Sequence, residues 1–348
     1  MIAWLQKLAH VLQLTRVERV LAAVSNSWLI VFLAYAVEPN DLTNAVFDWM
    51  PLWLALLLAA LVSAGLSAHG LVLNDLLDAR HDRTFRPKRP IAAGRIGRPA
   101  AVVAAVGSLL VALSAAVVLG TGSALLGLVT VAAILFYNTA GRFLPAVGIM
   151  VVGLIHLLNM FVPNPELGFA WPIWLTLTHV TACHAIGYMI EGKRPRLRSS
   201  DWWGLCAGWA FWTLALVGWM LWRQSLFVHG RQAMWLGPII VAPLFVIVAW
   251  WLLTGGSKSP SSAIGRRLHR TTRLRSRRSA GTTFTRLAML WLIVYDASWL
   301  LAGGLHWQGL VLISLLIAAL GAIWAIRTLT QTSGDRPTYR VQEPPIAT

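Results

Sequence analysis

The sequence predicts an all-α, polytopic membrane protein built as a bundle of transmembrane helices. Three observations carry that expectation. The chain is 57% hydrophobic and only 12% charged, a balance that suits lipid rather than water as the main solvent. Stretches close to 20 residues long recur without a charge, long enough for a helix to cross the hydrocarbon. Finally, Lys and Arg concentrate in the short segments between those stretches, as the positive-inside rule expects.

The apolar runs fall at about 18–38, 50–73, 99–119, 121–138, 144–163, 170–190, 203–222, 234–254, 286–303 and 306–328. Residues 99–138 count as two spans because Gly120-Thr121-Gly122 can make a tight reversal between them. Residues 1–17 place Ile2, Leu5, Leu8 and Leu12 at helical spacing, with Lys7, His10 and Arg16 elsewhere, which reads as an interfacial amphipathic helix. No apolar core followed by a small-residue cleavage site marks a leader. One transmembrane domain is expected over 18–328, with a basic loop at 255–285 and a disordered tail at 329–348.

Charge supports the same register. Segments after even-numbered spans are basic: Arg80 to Arg98, Arg142, Lys193 to Arg198, Lys258 to Arg286, then Arg327 onward. Those after odd-numbered spans are acidic or neutral, except for Arg223 and Arg231. Both termini and the loops after even spans are thus expected in the cytoplasm, in a bacterial inner membrane. Lipid topology accounts for the net charge of +16 and leaves nucleic acid no role. Anionic lipid headgroups are the expected partner of the 255–285 segment, and no obligate protein partner is implied. Cys183 and Cys206 lack disulfide or zinc spacing. The 19 Trp cluster near span ends as interfacial anchors.

Chemistry concentrates in Asn74-Asp75-Leu76-Leu77-Asp78-Ala79-Arg80-His81-Asp82-Arg83, where span 2 meets the cytoplasm. At about 100° per residue, Asn74, Asp75, Asp78 and Asp82 share one helix face. Crowded carboxylates need a counter-charge. Mg²⁺ bridging to a phosphate is one solution, and salt bridges to Arg80, Arg83 and Arg86 are the other. Ionisable groups this close to hydrocarbon favour a functional reading. A basic turn follows directly, Arg83 to Ile96, with Lys88, Arg89 and a Gly94 stop.

Asn-Asp-x-x-Asp-x-x-x-Asp followed by Arg89-Pro90-Ile91-x-x-Gly94 resembles the first signature of the UbiA-type intramembrane prenyltransferase superfamily. Tyr137 to Gly148, with Arg142 and Pro145, is similar to that family's conserved loop between spans 4 and 5. The resemblance covers roughly residues 16–300. It implies a ring of nine helices around a lipid-open cavity, to which this chain adds a tenth span. It also implies an enzyme that transfers a prenyl or polyprenyl group from an allylic diphosphate to a small aromatic acceptor, with Mg²⁺ as cofactor. On that reading Asn74, Asp78 and Glu191 are catalytic. Asn74, Asp75, Asp78, Asp82 and Glu191 form the metal set. Lys88, Arg89, Tyr137, Arg142 and Lys193 meet the diphosphate.

The second acidic motif of that family departs here. After span 6 stands His184-Ala185-Ile186-Gly187-Tyr188-Met189-Ile190-Glu191-Gly192-Lys193-Arg194, with one carboxylate. His184, Tyr188 and Glu191 at i, i+4 and i+7 are expected on one face, looking across the cavity at Asp78. His156 and Asn159 on span 5 are candidates to line the cavity, with interhelical hydrogen bonding the competing role. Asn26, His69 and Asp296 carry the same two readings. A CDP-alcohol phosphotransferase shares the Asp78-Ala79-Arg80 triplet but needs glycines and further aspartates that are absent. A non-transferase alternative, a transporter or phospholipid-binding scaffold, remains beside the enzyme.

Overall fold

The computed structural model describes residues 9–36, 46–87, 89–193, 195–227, 231–254 and 269–332. Among these, ten long helices follow one another with no strand: α1 Val17–Ala36, α2 Leu52–Leu77, α3 Arg98–Leu119, α4 Thr121–Thr139, α5 Pro145–Phe161, α6 Trp171–Glu191, α7 Ser199–Trp222, α8 Leu236–Thr254, α9 His269–Ala302 and α10 His306–Thr332. Nine are long and apolar enough to cross a membrane, and the 17-residue α5 is a shorter apolar helix. The protein is an integral, multi-pass membrane protein, and the tenth expected span is present.

Local chemistry sets the helix ends. Proline stands in the first turn of α3, α5 and α6, where its missing N–H is an orphan in any case. The Gly120 reversal holds: this single residue, at φ 119°, separates α3 from α4. Gly192, at φ 62°, ends α6 immediately after Glu191 and lets Lys193 N–H reach the Tyr188 carbonyl at 3.3 Å.

Six helices, α1, α2, α4, α5, α6 and α9, succeed one another around the centre, and α1 also touches α5 across it. The other four lie outside: α3 on α2 and α4, α7 on α5 and α6, α8 on α9, and α10 on α9 and α1. Burial follows this plan, from 72% of the spanning stretch in α1 and 67% in α9 to 17% in α7, α8 and α10. The outer helices present Trp203, Trp222, Trp250 and Trp324 outward, as lipid-facing surfaces can.

Small residues let the inner and outer layers approach. Gly65 of α2 faces Ser108 and Ala112 of α3, where an added Cβ would sit 2.5 Å from the Ser108 carbonyl oxygen. Polar residues inside the bundle tie helices together. His69 Nδ1 lies 2.9 Å from the Ala105 carbonyl oxygen, and Ser25 donates to Asp296 at 2.7 Å, joining α1 to α9. For His69 and Asp296, then, the structure shows the interhelical role.

Two expectations shift. The basic segment 255–285 is helical from His269 onward, as the start of α9, and its first part lies outside the described residues. Helix α10 runs to Thr332, past the start of the expected tail, whose remainder is likewise outside them. Residues 9–14 are helical, as expected of the amphipathic segment, but Ala9 and Leu14 are buried. Leu14 packs with Val72, Ala79, Ile91, Ala101 and Ala105, so this segment docks against the ends of α2 and α3.

The two exceptions to charge segregation have a physical reason. Arg223 donates to the Glu166 carbonyl at 2.8 Å and stacks near Trp219 and Trp222. Arg231 donates to the Gly303 carbonyl at 2.9 Å, just past the end of α9, and to that of Ala36 at 3.4 Å, the last residue of α1. Arg223 is thus taken up by the loop between α5 and α6, and Arg231 by carbonyls at the ends of α1 and α9, where positive charge is favoured.

Candidate functional site

The site is assembled at one end of the bundle by the break between α2 and a short helix, Ala79–Phe85. Asp78 is the junction, with φ −83° and ψ −2°, ending one helix and starting the next. The four polar residues of the motif then divide. Asp75 and Asp82 are 3% and 2% exposed, whereas Asn74 and Asp78 keep part of their surface open.

Arginines meet the carboxylates, though not the neighbours Arg80, Arg83 and Arg86 that the sequence suggests. Arg16 donates to Asp75 at 2.8 Å. Arg89 bridges the motif, at 3.1 Å from Asp75, 2.5 Å from Asp82 and 4.0 Å from Asp78. Arg142 donates to the other Asp78 oxygen at 2.6 Å and lies over the Phe143 ring. A helix C-terminal end points carbonyls at its last residues, so guanidinium groups are doubly favoured there.

The basic turn that delivers Arg89 is held from below and behind. Ile91 is 6% exposed in the cluster with Leu14 and Val72. Ala93 N–H returns to the Arg89 carbonyl at 2.8 Å, Arg95 N–H to that of Pro90 at 2.9 Å, and Gly94 adopts φ 72°. The short helical turn Gly141–Phe143 does the same for Arg142 between α4 and α5.

The opposite rim is the end of α6. Glu191 lies over Gly281 of α9, where any Cβ would overlap its Cγ, and pairs with Lys193 at 3.2 Å. Arg86 lies within coulombic range of both Asp82 and Glu191, so the motif and the end of α6 border one mouth. Its guanidinium is held below the ordinary arginine value by desolvation first and by Arg89 next, yet it remains a cation at neutral pH. Arg19 is within range of Tyr137 and Glu191, and Tyr137 within range of Arg142 and Asp78.

Below the mouth the interior is mainly apolar, with a few polar side chains among the aliphatic ones. A small cavity is lined by Ala23, Leu66, Ser67, Thr130, Ile134, Ile155, His156 and Asn159, from α1, α2, α4 and α5. Arg19 and His156 lie within range of His184, which places His184 on the inner side of α6.

Tyr188 departs from that face. Its hydroxyl donates to the Pro195 carbonyl at 2.6 Å and its ring faces Lys193 and packs beside Ile149 and Leu205. The reason is angular: i+4 overshoots a full turn by about 40°, enough on this thin wall to leave the cavity. Lys88 and Arg194 lie outside the described residues.

Comparison with known proteins now gives the frame. The model of the UbiA prenyltransferase family matches residues 27–269. The chain belongs to the UbiA prenyltransferase family. A digeranylgeranylglyceryl phosphate synthase from Sulfurisphaera tokodaii is 28% identical over 138 residues, 40% of this chain, and the match spans about half, 47%, of that relative. A solved structure concerning digeranylgeranylglyceryl phosphate synthase in membranes shares the fold, with a TM-score of 0.50 and 16% identity over 83% of this chain and 98% of that one. A UbiA homolog from Archaeoglobus fulgidus, bound to GPP and Mg²⁺, is 14% identical over 83% and 99% of the two chains, with a TM-score of 0.42.

Within this UbiA-family chain, two mouth residues escape sequence reasoning: Arg16 and Arg19. Arg16 reads as the polar side of a surface helix, and Arg19 falls at the start of the first apolar run. Arg16 in fact sits at a sharp corner before α1, in the left-handed region at φ 48°. Such backbone strain costs on the order of 1 kcal/mol and persists where surroundings impose it; here it aims the guanidinium at Asp75. The available signal was Arg16-x-x-Arg19 at the start of span 1, on the same side as the acidic motif.

Proposed function

We propose that this protein transfers a prenyl group from an allylic diphosphate to a small aromatic acceptor within the membrane, with Mg²⁺ held at the cytoplasmic mouth. The observation that carries the reading is the division of the motif. Asn74 and Asp78 keep part of their surface open at the mouth, Asp78 beside Arg142, while Asp75 and Asp82 are buried against Arg16 and Arg89.

The donor set suits a hard divalent cation. Among the described residues no three His, Cys, Asp or Glu side chains converge on one point. A cation would therefore take the Asn74 amide oxygen and the Asp78 carboxylate, and Glu191 from the opposite rim, leaving coordination places for diphosphate oxygens and water. Once bound, Mg²⁺ neutralises charge that builds on the departing diphosphate.

The protein groups perform the rest. Arg142 and Arg89 exchange a carboxylate partner for phosphate oxygens, with Arg16, Tyr137 and Lys193 around them, and so favour scission of the allylic C–O bond. Asp75 and Asp82 hold Arg16 and Arg89 in place. The apolar walls of α4 and α5 keep water from the allylic cation until an electron-rich acceptor carbon attacks it and a proton is lost. Both termini and this mouth lie in the cytoplasm on this reading.

The test is product formation in membranes containing the protein, given labelled allylic diphosphates, Mg²⁺ and a panel of hydroxylated rings. Product is expected from the native chain and is lost with Asp78→Ala or with a chelator. Equal product from Asp78→Ala overturns the site, and a chain that forms no product with any donor favours the scaffold alternative.

A further inference from the structure

Helix α9 is longer than crossing the bundle requires. It runs from His269 to Ala302, and the stretch apolar enough to cross a membrane is Ala280–Ala302. The residues before Ala280 prolong the same helix by about 16 Å, more than the roughly 5–8 Å of headgroup layer on one face of a bilayer. This extension carries Arg270, Arg273, Arg275, Arg277 and Arg278 and no acid, and the sequence has no acid at all from Trp202 to Tyr295.

The helices around it do not neutralise that charge. Packed along α9 are α6, α10, α8 and α1. Neither α8 nor α10 contains an Asp or Glu. The acid of α1, Glu18, is held by Arg286 at 3.3 Å, and that of α6, Glu191, by Lys193 at 3.2 Å. The carboxylates of the motif are matched by Arg16, Arg89 and Arg142. Among the described residues of this end, then, no acid is left over for the extension, and its counter-charge comes from outside the chain.

Position selects the partner. Gly281, just past the extension, lies against Glu191 at the rim of the mouth. The extension therefore rises beside the mouth, with Arg277 about 6 Å and Arg270 about 16 Å along the axis from that contact. An anion in the headgroup layer, or in the water above it, meets this charge before it reaches the site. Attraction grows with the charge of the anion, so a diphosphate is drawn more strongly than the phosphodiester of an ordinary phospholipid. We propose that the basic extension of α9 is a collecting surface for the diphosphate head of the prenyl donor, raising its local concentration beside the mouth and passing it on to Arg142 and Arg89. It acts by charge before the site is reached and takes no part in the chemical step. The inference rests on the transferase reading and adds how the donor arrives.

The experiment uses the full-length chain in phosphatidylcholine vesicles and reads the association and dissociation rates of labelled geranyl diphosphate at constant Mg²⁺. Arg270, Arg273, Arg275, Arg277 and Arg278 are replaced together, by Gln in one variant and by Lys in another. The Gln variant is expected to associate about tenfold more slowly than the native chain at low salt, and the gap to close near 1 M, where the screening length falls to about 3 Å. Its dissociation rate stays native, which also reports an intact site. The Lys variant keeps the native association rate, because steering reads charge rather than the fork of a guanidinium. Adding phosphatidylglycerol slows the native chain toward the Gln variant, by competing for the extension. Equal association by the native and Gln chains at low salt, a loss that salt does not abolish, or the same loss in the Lys variant overturns the inference while the transferase reading stands. A difference that appears only with phosphatidylglycerol present assigns the extension to bulk anionic lipid and overturns it as well. A native chain that binds no geranyl diphosphate at any salt removes the transferase reading, and this inference with it.

Discussion

At the scale of single residues, Asp78 and Asp82 look alike in sequence and differ in consequence. The Asp82 side chain is 3% exposed and held by Arg89, so removing it takes one charge-assisted bond from a nearly closed environment and leaves Arg89 to Asp75 at 3.1 Å. Asp82→Ala is expected to cost about 1–3 kcal/mol, read as a lowered Tm in detergent. Asp78 is 24% exposed at the side chain, and its pair with Arg142 is partly solvated. Asp78→Asn should leave Tm almost unchanged and lower turnover by about 10²–10³. A fall in Tm for Asp78→Asn matching that of Asp82→Ala would show that both carboxylates are structural. The sequence announced the acids themselves, because carboxylates are scarce in this chain. It did not announce their partners: Arg16 is 59 positions from Asp75 and Arg142 is 64 from Asp78, distances that only the fold closes.

At the scale of elements, spans were readable because hydropathy and charge agree on the same breaks, down to the lone Gly120 between α3 and α4. Orientation within a helix was less so. The i, i+4, i+7 pattern grouped Tyr188 with His184 and Glu191, yet α6 is walled by α7 on one side and opens to the cavity on the other, and the residual angle decides between them. The contact between α2 and α3 rests on a glycine that hydropathy does not distinguish from its neighbours. Gly65→Val would place its Cβ 2.5 Å from the Ser108 carbonyl oxygen and 2.8 Å from the Ala112 Cβ. Both are parts of a packed helix that cannot swing aside. The two helices must separate, at about 1–3 kcal/mol or more, and Tm should fall accordingly. Gly107→Val is the matched control: nothing lies within 4 Å of its Cβ, and its Tm should match the native chain. Equal effects from both would show that α2 and α3 are not held by this contact.

At the scale of the whole molecule, the even number of spans between the motif and Glu191 puts both rims on one side. This gives a topological prediction. In a background with both Cys residues replaced by Ser, an impermeant thiol reagent on intact cells should label Glu166→Cys but not Arg83→Cys, with Arg83→Cys labelled only after permeabilisation. The reverse pattern would invert the proposed orientation. Labelling of both from outside would break the register of spans. The inner six helices carry the polar rim and cavity, and the outer four insulate them. In this layering α10 covers the backs of α1 and α9, the two most enclosed helices. The tenth span, unexplained by sequence pattern, is a lining against lipid for the helices that carry Arg19 and Gly281.

The guanidinium groups that occupy the motif also govern how ligands arrive. With Asp75, Asp78 and Asp82 already matched by Arg16, Arg89 and Arg142, the acidic motif by itself carries little net charge. A divalent cation alone must displace Arg142 from Asp78 and leave it without a partner. A diphosphate alone must draw the arginines off and expose bare carboxylates. Arriving together, each repairs the loss caused by the other. Their affinities are therefore coupled, and the coupling is reciprocal. Titrations should find that saturating diphosphate tightens Mg²⁺ binding by at least about tenfold, and that Mg²⁺ tightens diphosphate by the same factor. Arg142→Ala, which leaves Asp78 with only the more distant Arg89 at 4.0 Å, should weaken that synergy and let the metal bind alone.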